Sequence, residues 1–226
     1  MNWKTTATAM GLALLASTGL ARADGVLNIY NWGNYTSPDV IKKFEDKYNI
    51  KVTITDYDSN DTALAKIRQG GTGFDIAVPS QTYVPIWIKE GLLLETDPGK
   101  MENFKNVAPE WANPDFDPGR KYSVPWALGT VGVVVNTDTY KGPADSWGII
   151  FNTPDELKGK VNVVPEMNDV IFAAIKYVGG QQCTDDKAVL KKVRDTLVAA
   201  KPNWIAMEYN TIEKMGAGDF KATSDW

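Results

Sequence analysis

The stretch Leu27-Asn28-Ile29-Tyr30, followed by Asn31-Trp32-Gly33-Asn34-Tyr35 and then by Ser37, Pro38 and Asp39 at the head of a helix-patterned segment, decides the fold. An apolar run that gives way within a few residues to a helix start reads as the first strand-to-helix turn of an open sheet. In parallel α/β sheets ligands bind beyond the carboxyl ends of the strands, and two aromatics and two amides stand there in this chain. Large flat side chains in that place are either a platform for a ligand or a plug for the domain edge. Position alone does not choose between them.

The same alternation runs outward from this turn. Residues 51–55 read as a second strand, and Asp58, Ser59 and Asn60 can cap a helix over 61–69 that Gly70, Gly71 and Gly73 end. Residues 74–78 are short and apolar, as a buried parallel strand is, and Pro79-Ser80-Gln81-Thr82-Tyr83 follows them into an amphipathic turn through Ile86, Trp87 and Leu92. Apolar runs at 124–126 and 129–135 form a further pair broken at Leu128 and Gly129, and the second of them leaves this first lobe. Beyond them 147–151 and 154–157 look helical, 160–164 is a strand, and 170–178 and 211–215 are helices. In 185–200 Val189, Leu190, Val193, Leu197 and Val198 share one helix face. The pattern predicts α/β architecture in two lobes joined by crossing strands, the first over 24–132 and the second over 133–226. Because the sequence stops inside a strand-patterned segment at Trp226, the second lobe is expected to be truncated.

The first residues set the compartment. Lys4 precedes an apolar stretch over 9–20 and then Ala21-Arg22-Ala23, the outline of a secretory signal peptide over 1–23. It is too short for a spanning helix, and no later run reaches the roughly 18 apolar residues that one needs. No Cys follows the cleavage site, which excludes a lipid anchor there, and Cys183, the one cysteine, has no internal partner for a disulfide. A bacterial periplasm is the predicted destination. Loss of the leader takes Lys4 and Arg22 with it, so the formal charge moves from −4 to −6. A mildly acidic chain is a poor match for nucleic acid and compatible with a cationic small molecule. With 43% apolar residues over 226 positions, the chain can bury one large core or two smaller ones.

Catalytic constellations are scarce. The sequence has no His, which removes the commonest general base, the usual triads and most zinc sites. Cys183 lies beside Thr184 and Asp185 with no imidazole to activate it. Asp56, Asp58 and Asn60 have the spacing of a calcium loop, but Asp61 stands where that loop needs Gly and Ile67 where it needs Glu; the group around Asp115, Asp117 and Gly119 fails similarly. No catalytic residue, cofactor or metal is expected. What remains is aromatic and acidic: Trp32 and Tyr35 after the first strand, Ser80 and Tyr83 after the third, Glu166 and Asp169 at a helix start. Aromatics with carboxylates suit an amine. A cation on an aromatic face gains roughly 0.5–2 kcal/mol, a charge-assisted hydrogen bond about 1.5–3 and each buried methylene about 0.8. Glu166 and Asp169, three apart, are read as sharing one helix face, with compensation of the helix dipole as the other account of them.

Asn31 to Tyr35, Tyr57-Asp58-Ser59-Asn60, Gly73 to Ser80 and Tyr122 to Asn136 together resemble the periplasmic spermidine/putrescine-binding proteins of ABC importers, over essentially all of the chain from Leu27. The resemblance implies two lobes that close on a polyamine like a hinge and deliver it to a membrane permease. By position it implies that Trp32 and Tyr35 flank the ligand's aliphatic chain, that Ser80 lines the same cleft, that Glu166 and Asp169 hold an ammonium, and that Trp226 stacks on the ligand; Trp126 falls in the segment leading to the hinge. Asn34 stands where the family usually has Asp or Glu, and Thr82 where spermidine binders tend to have an aromatic, which points toward a shorter amine or a related amino compound. Asn34, Thr82 and Tyr83 complete the candidate ligand-binding set. Another solute on the same architecture, such as a sugar or an amino acid, an enzyme using Cys183, and a product that does not function are the competing readings.

Overall fold

The structure is a computed structural model that describes residues 25–226; the leader expected over 1–23 lies outside the described residues. In chain order the elements are β1 (Gly25–Trp32), α1 (Pro38–Tyr48), β2 (Ile50–Tyr57), α2 (Asn60–Arg68), β3 (Ile76–Ala77), α3 (Val84–Lys89), α4 (Pro109–Ala112), β4 (Gly132–Val135), α5 (Gly148–Phe151), β5 (Val161–Asn162), α6 (Met167–Tyr177), α7 (Lys187–Ala200), β6 (Trp204–Ala206), α8 (Thr211–Ala217) and β7 (Ala222–Asp225). They build two sheets. One has the order β2-β1-β3 with all strands parallel, and the other β4-β7-β5-β6, in which β5 runs parallel to both neighbours and β4 antiparallel to β7.

Local chemistry accounts for the starts and stops in the first unit. Ser37 is the N-cap of α1, its hydroxyl accepting from the Asp39 N–H, and Pro38 fills the first turn, where its missing N–H costs nothing. Asn49 closes that helix at φ 49°, the left-handed conformation that Asn tolerates. Ser59 caps α2 by accepting from Thr62 N–H. The third strand is shorter than its apolar run, yet the ladder continues on either side of it: Asp75 N–H donates to Asn28 O at 2.8 Å and Val78 N–H to Tyr30 O at 3.0 Å. The Asp75 carboxylate takes the Asn28 N–H at 2.8 Å, standing in for a backbone acceptor. Around β1 the buried side chains Tyr30, Trp32, Tyr57, Ala63, Leu64, Tyr83 and Trp87 form this unit's core.

The second unit is knit more densely. Val161, Val163, Leu157, Ala174, Ile150 and Ala222 make the centre of its core, with Val193 from α7 packed on them. Asn162, fully buried, ties three segments together: its amide donates to Glu208 O at 3.0 Å and Thr223 Oγ1 at 3.1 Å, while its carbonyl accepts from Glu208 N–H at 3.1 Å.

The structure departs from the sequence pattern at three places. Residues 124–126 are not a strand, because Pro125 has no N–H to give a ladder, and Val124, Trp126 and Leu128 lie exposed along an irregular crossing segment. A strand at Trp204–Ala206 was not expected; it pairs with β5 at the sheet edge after the turn Lys201–Asn203. Glu166 is not in the helix it precedes but is its N-cap residue, with φ −76° and ψ 106°.

The loop read as a failed calcium site is a structural keystone. Buried Asp117 accepts from the backbone N–H groups of Lys121 (3.2 Å), Tyr122 (3.2 Å) and Ser123 (2.8 Å) and from the Ser123 hydroxyl (2.8 Å). Asp117→Ala removes four hydrogen bonds to a charged acceptor from partly buried donors, so we expect a loss of about 2–4 kcal/mol with the first unit affected most. Urea unfolding followed by Trp fluorescence checks it; a midpoint within error of the wild type refutes it.

Candidate functional site

Parallel pairing decides where the site lies. The carboxyl ends of β1 and β3 deliver Trp32 and Ser80 to one edge of the first sheet, and those of β5 and β7 deliver Glu166 and Trp226 to the facing edge of the second. The two edges meet. The rings of Trp32 and Trp226 are 5.8 Å apart, centroid to centroid, and Asn168 Nδ2 donates to Thr82 Oγ1 at 3.3 Å.

The first wall is aromatic and neutral. Trp32, 8% exposed, packs on Tyr57 at 4.6 Å and reaches Tyr35 at 6.2 Å. Asn31 is fully buried and serves the turn itself: its amide carbonyl accepts the Trp32 N–H at 2.8 Å and its NH2 donates to Thr36 Oγ1 at 3.1 Å. Asn34 sits at φ 63° in the left-handed region, so a short polar side chain is required there for backbone reasons as well. Ser80 is gripped by Asn60, whose amide donates to Ser80 Oγ at 3.0 Å and whose carbonyl accepts Ser80 N–H at 2.9 Å. Tyr83 is buried, and its hydroxyl donates to Asp61 Oδ1 at 2.8 Å, which turns it toward α2.

The second wall is acidic. Asp169, in the first turn of α6, accepts the Trp226 indole N–H at 3.0 Å. Trp226 in turn stacks on Tyr209 at 6.3 Å with the ring planes 6° apart. Asp225 accepts the Thr211 hydroxyl at 2.5 Å and the Trp226 N–H at 2.9 Å. Behind Trp226 a narrow crevice of about 10 Å³, too small for more than a water-sized group, is lined by Asp169, Asp225, Trp226 and apolar side chains that include Trp147, Ile150, Phe151 and Val163. It takes no residue of the first wall.

The electrostatics follow from burial. Desolvation pushes the Glu166 carboxyl above the usual carboxylate range, opposed by the side chain and backbone N–H of Asn60 and reinforced by the charges of Asp169 and Asp61. Asp169 is raised by the same desolvation, against the hydrogen bond from Trp226. Tyr35 is raised by burial and then by Asp169 and Asp225, and Tyr209 by burial and then by Glu166 and Asp58. The space between the walls is therefore negative and partly dry, with aromatic faces beside it, an arrangement that attracts a cation and has no general base paired to a nucleophile. Cys183 is exposed in the loop after α6.

Of the nine predicted residues, Trp32, Tyr35, Asp169 and Trp226 come together, Thr82 meets the opposite wall, Glu166 heads α6, Ser80 and Tyr83 are engaged by α2, and Asn34 shapes the turn. The sequence reading has Asn60 as a helix cap, in a failed calcium spacing and in a motif of the resemblance, without a place in the ligand-binding set, and it passes over Tyr209, Asp225 and Asn168. Asn60 carried a signal, since it follows the carboxyl end of β2; Tyr209 follows β6, the strand that was missed.

Comparison with known proteins gives a consistent result. The family model described as bacterial extracellular solute-binding protein matches residues 39–226. A putrescine/cadaverine-binding protein of Pseudomonas aeruginosa is 32% identical over 207 residues, which is 89% of this chain and 58% of that protein. Among solved structures, a putative spermidine/putrescine ABC transporter protein from Listeria monocytogenes superposes with a TM-score of 0.77 at 34% identity over 88% of this chain and 62% of that one. A lipoprotein of Treponema pallidum gives 0.79 at 31% identity, over 89% and 63%. The chain thus spans a little over half the length of the curated relative and about three fifths of the solved ones.

A carboxyl raised by burial binds its proton more tightly in the folded than in the unfolded chain, so its contribution to stability is full below the ordinary value of 4.5 and is lost as pH rises through the raised one. At neutral pH the Glu166 charge is thus a net cost to the protein without a cation. Glu166→Gln is expected to raise the unfolding midpoint by about 2–4 °C at pH 7, with the gain shrinking toward pH 4.5. A Tm that falls at pH 7 counts against this account of the site.

Proposed function

The chain belongs to the bacterial extracellular solute-binding proteins, and on that premise we propose that the protein captures a polyamine, a putrescine-like amine, and hands it to the membrane permease of an ABC importer without chemical change. The observation that carries this reading is the Asp169 carboxylate held by the Trp226 indole, beside the adjacent, mutually tilted rings of Trp32 and Trp226. A carboxylate takes the ammonium, and ring faces take the cation's field and the methylenes. Sugars would find few uncommitted hydrogen-bond partners here, and an amino acid's carboxylate would meet Asp169, Glu166 and Asp225. The names of the relatives point the same way: putrescine, cadaverine and spermidine are what those proteins are said to bind.

On this reading residues 24–132 and 133–226 are two lobes, and ligand sits between Trp32, Asn34 and Tyr35 on one and Glu166, Asp169 and Trp226 on the other, with Ser80, Thr82 and Tyr83 setting the first lobe's contour. Closure expels water and strengthens the attraction between amine and carboxylate. Residues 1–23 act as a leader that sends the product to the periplasm, so the exported protein begins at Asp24; an N-terminus at Met1 on exported material contradicts this. Among the described residues no helix is long and apolar enough to cross a membrane.

Calorimetry with putrescine, and with glutamate and maltose as competitors, tests the solute class. Asp169→Asn removes the charge and keeps the shape, and we expect at least a tenfold weaker putrescine Kd, since a hydrogen bond to a charged group contributes about 1.5–3 kcal/mol. Asn34→Asp suits the left-handed backbone and supplies the acid that the first lobe lacks, so affinity for the diamine is expected to rise about fivefold. Displacement by maltose or glutamate but not by putrescine overturns the reading. A fall with Asn34→Asp shows that the amide is matched to a neutral group.

A further inference from the structure

The second unit shapes its half of the cleft through a side chain outside the ligand-binding set. Asn162, fully buried at the end of β5, stands at an irregularity of the ladder, where Val161 faces Trp204 and Asn162 already faces Ala206. Past Ala206, whose carbonyl takes the Val163 N–H at 3.2 Å, the Asn162 amide stands in for the next rung. Like a peptide group it both gives and takes: Nδ2 donates to Glu208 O at 3.0 Å and Oδ1 accepts the Glu208 N–H at 3.1 Å. The second proton on Nδ2 goes to Thr223 Oγ1 on β7, at 3.1 Å. Glu208 directly precedes Tyr209, and Thr223 leads along the same strand to Asp225 and Trp226.

We infer that Asn162 is a positioning residue: by fixing the chain at Glu208 and at Thr223 together, it sets Tyr209 against Trp226 and so aims the indole N–H at Asp169. The inference rests on the amine-binding reading and extends it to a buried side chain behind the site. Trp226 is 42% exposed, so core packing does not hold its ring. What holds it is the Tyr209 face at 6.3 Å, the Asp169 carboxylate at 3.0 Å and, on its backbone N–H, Asp225 Oδ1 at 2.9 Å, with the Trp32 ring 5.8 Å away on the first wall. Tyr209 lies in the irregular segment between β6 and α8, where the two bonds from Asn162 to Glu208 replace the support of a sheet. The other tether is reinforced one residue on, where Ser224 Oγ accepts the Val164 N–H at 3.0 Å. An amide whose three bonds run to two separate segments fixes their mutual register, which an apolar side chain of the same volume does not. A ring held in place before the ligand arrives loses little freedom on binding, so affinity depends on the tethers as well as on the ring.

The test follows the Trp226 indole N–H in a proton–nitrogen correlation spectrum, identified as the cross-peak missing from Trp226→Phe, with Asp169→Ala marking the position of the unbonded indole. In Asn162→Ala the peak is expected to move toward that position or to split, and putrescine to bind roughly tenfold more weakly by calorimetry. Thr223→Val removes the acceptor of one Asn162 bond and keeps the β-branched shape, so it keeps the question answerable where Asn162→Ala fails to fold. It should shift the peak in the same direction and weaken putrescine roughly threefold. Val193→Ala opens the same core without touching either tether, and should leave the peak in place; a merely stabilising role for Asn162 gives both core changes the same effect. In the Trp226→Phe background Asn162→Ala should cost little further affinity. A peak unmoved in the folded variants, a shift as large in Val193→Ala, or an undiminished affinity loss in the Trp226→Phe background overturns the inference. A parent protein that gives no heat with putrescine while its indole peak moves as described overturns the amine reading and leaves the positioning role standing.

Discussion

Parallel pairing of β1 with β2 and β3 is the constraint from which the rest follows. Parallel strands must be joined by crossovers, so every connection in this sheet leaves from the same edge, and the residues just past Trp32, Tyr57 and Ala77 are thrown together there. The register is equally consequential. Trp32 lies opposite Tyr57, and the tilted contact of these rings, with Tyr30 stacked on Phe74, turns the end of the strand into an aromatic shelf. A slip of one residue would point Trp32 to the other face of the sheet and leave the shelf without its centre. The second sheet repeats the arrangement with β5 parallel to β7, and there the carboxyl ends bring the acids Glu166 and Asp225 together with the Trp226 ring.

Burial makes those acids unstable in their charged form. Glu166 and Asp169 are both displaced upward by desolvation, and what opposes the displacement is a small set of donors, Asn60 for the first and the Trp226 indole for the second. Neither is a cation. A buried ion without a counter-ion costs several kcal/mol after relaxation, and a protein that keeps two of them near one cleft holds a negative potential that a solvated ammonium can relieve. The same displacement makes such a site sensitive to acid, because a cation competes with a proton for the same oxygens.

Much of this was legible in the sequence, for physical reasons that also mark where reading stopped. The run from Leu27 to Tyr35 announces its turn because burial, an N-cap and a helix-opening Pro follow one another in a fixed order. The helix over Lys187–Ala200 shows through its periodicity, and Asp186 caps it by accepting from Ala188 and Val189. The strand at Trp204–Ala206 was hidden: three residues cannot display a period, and Lys201-Pro202-Asn203 before it reads as a turn. Apolar character at 124–126 was misleading because hydrophobicity says nothing of hydrogen-bond supply, and Pro125 withholds a donor. Glu166 was placed on a helix face from spacing alone, whereas its backbone is extended ahead of the helix. Contacts between units, such as Thr82 with Asn168, leave no local pattern at all; they arise from segments 86 positions apart in the sequence that the topology brings together.

The division of labour between the walls has a consequence for orientation. On the first wall the groups are rings and the neutral amide of Asn34, whose left-handed backbone admits Asn or Asp with little strain, so the neutral choice there is not imposed by the fold. Thr82 is already engaged by Asn168 and offers no ring. The charge lies on the second wall, with Asp169 and Asp225 beside Trp226. On the proposed amine reading, a linear amine between them would experience a potential that falls toward the second wall, its ammonium drawn to Asp169 and its methylenes laid on the Trp32 and Tyr35 shelf at about 0.8 kcal/mol each. A second ammonium at the far end meets only an amide dipole, worth less than a carboxylate by roughly half of a charge-assisted bond. On that reading the cleft would discriminate strongly at one end of a diamine and weakly at the other, and the weak end is where chain length and the second functional group would be read.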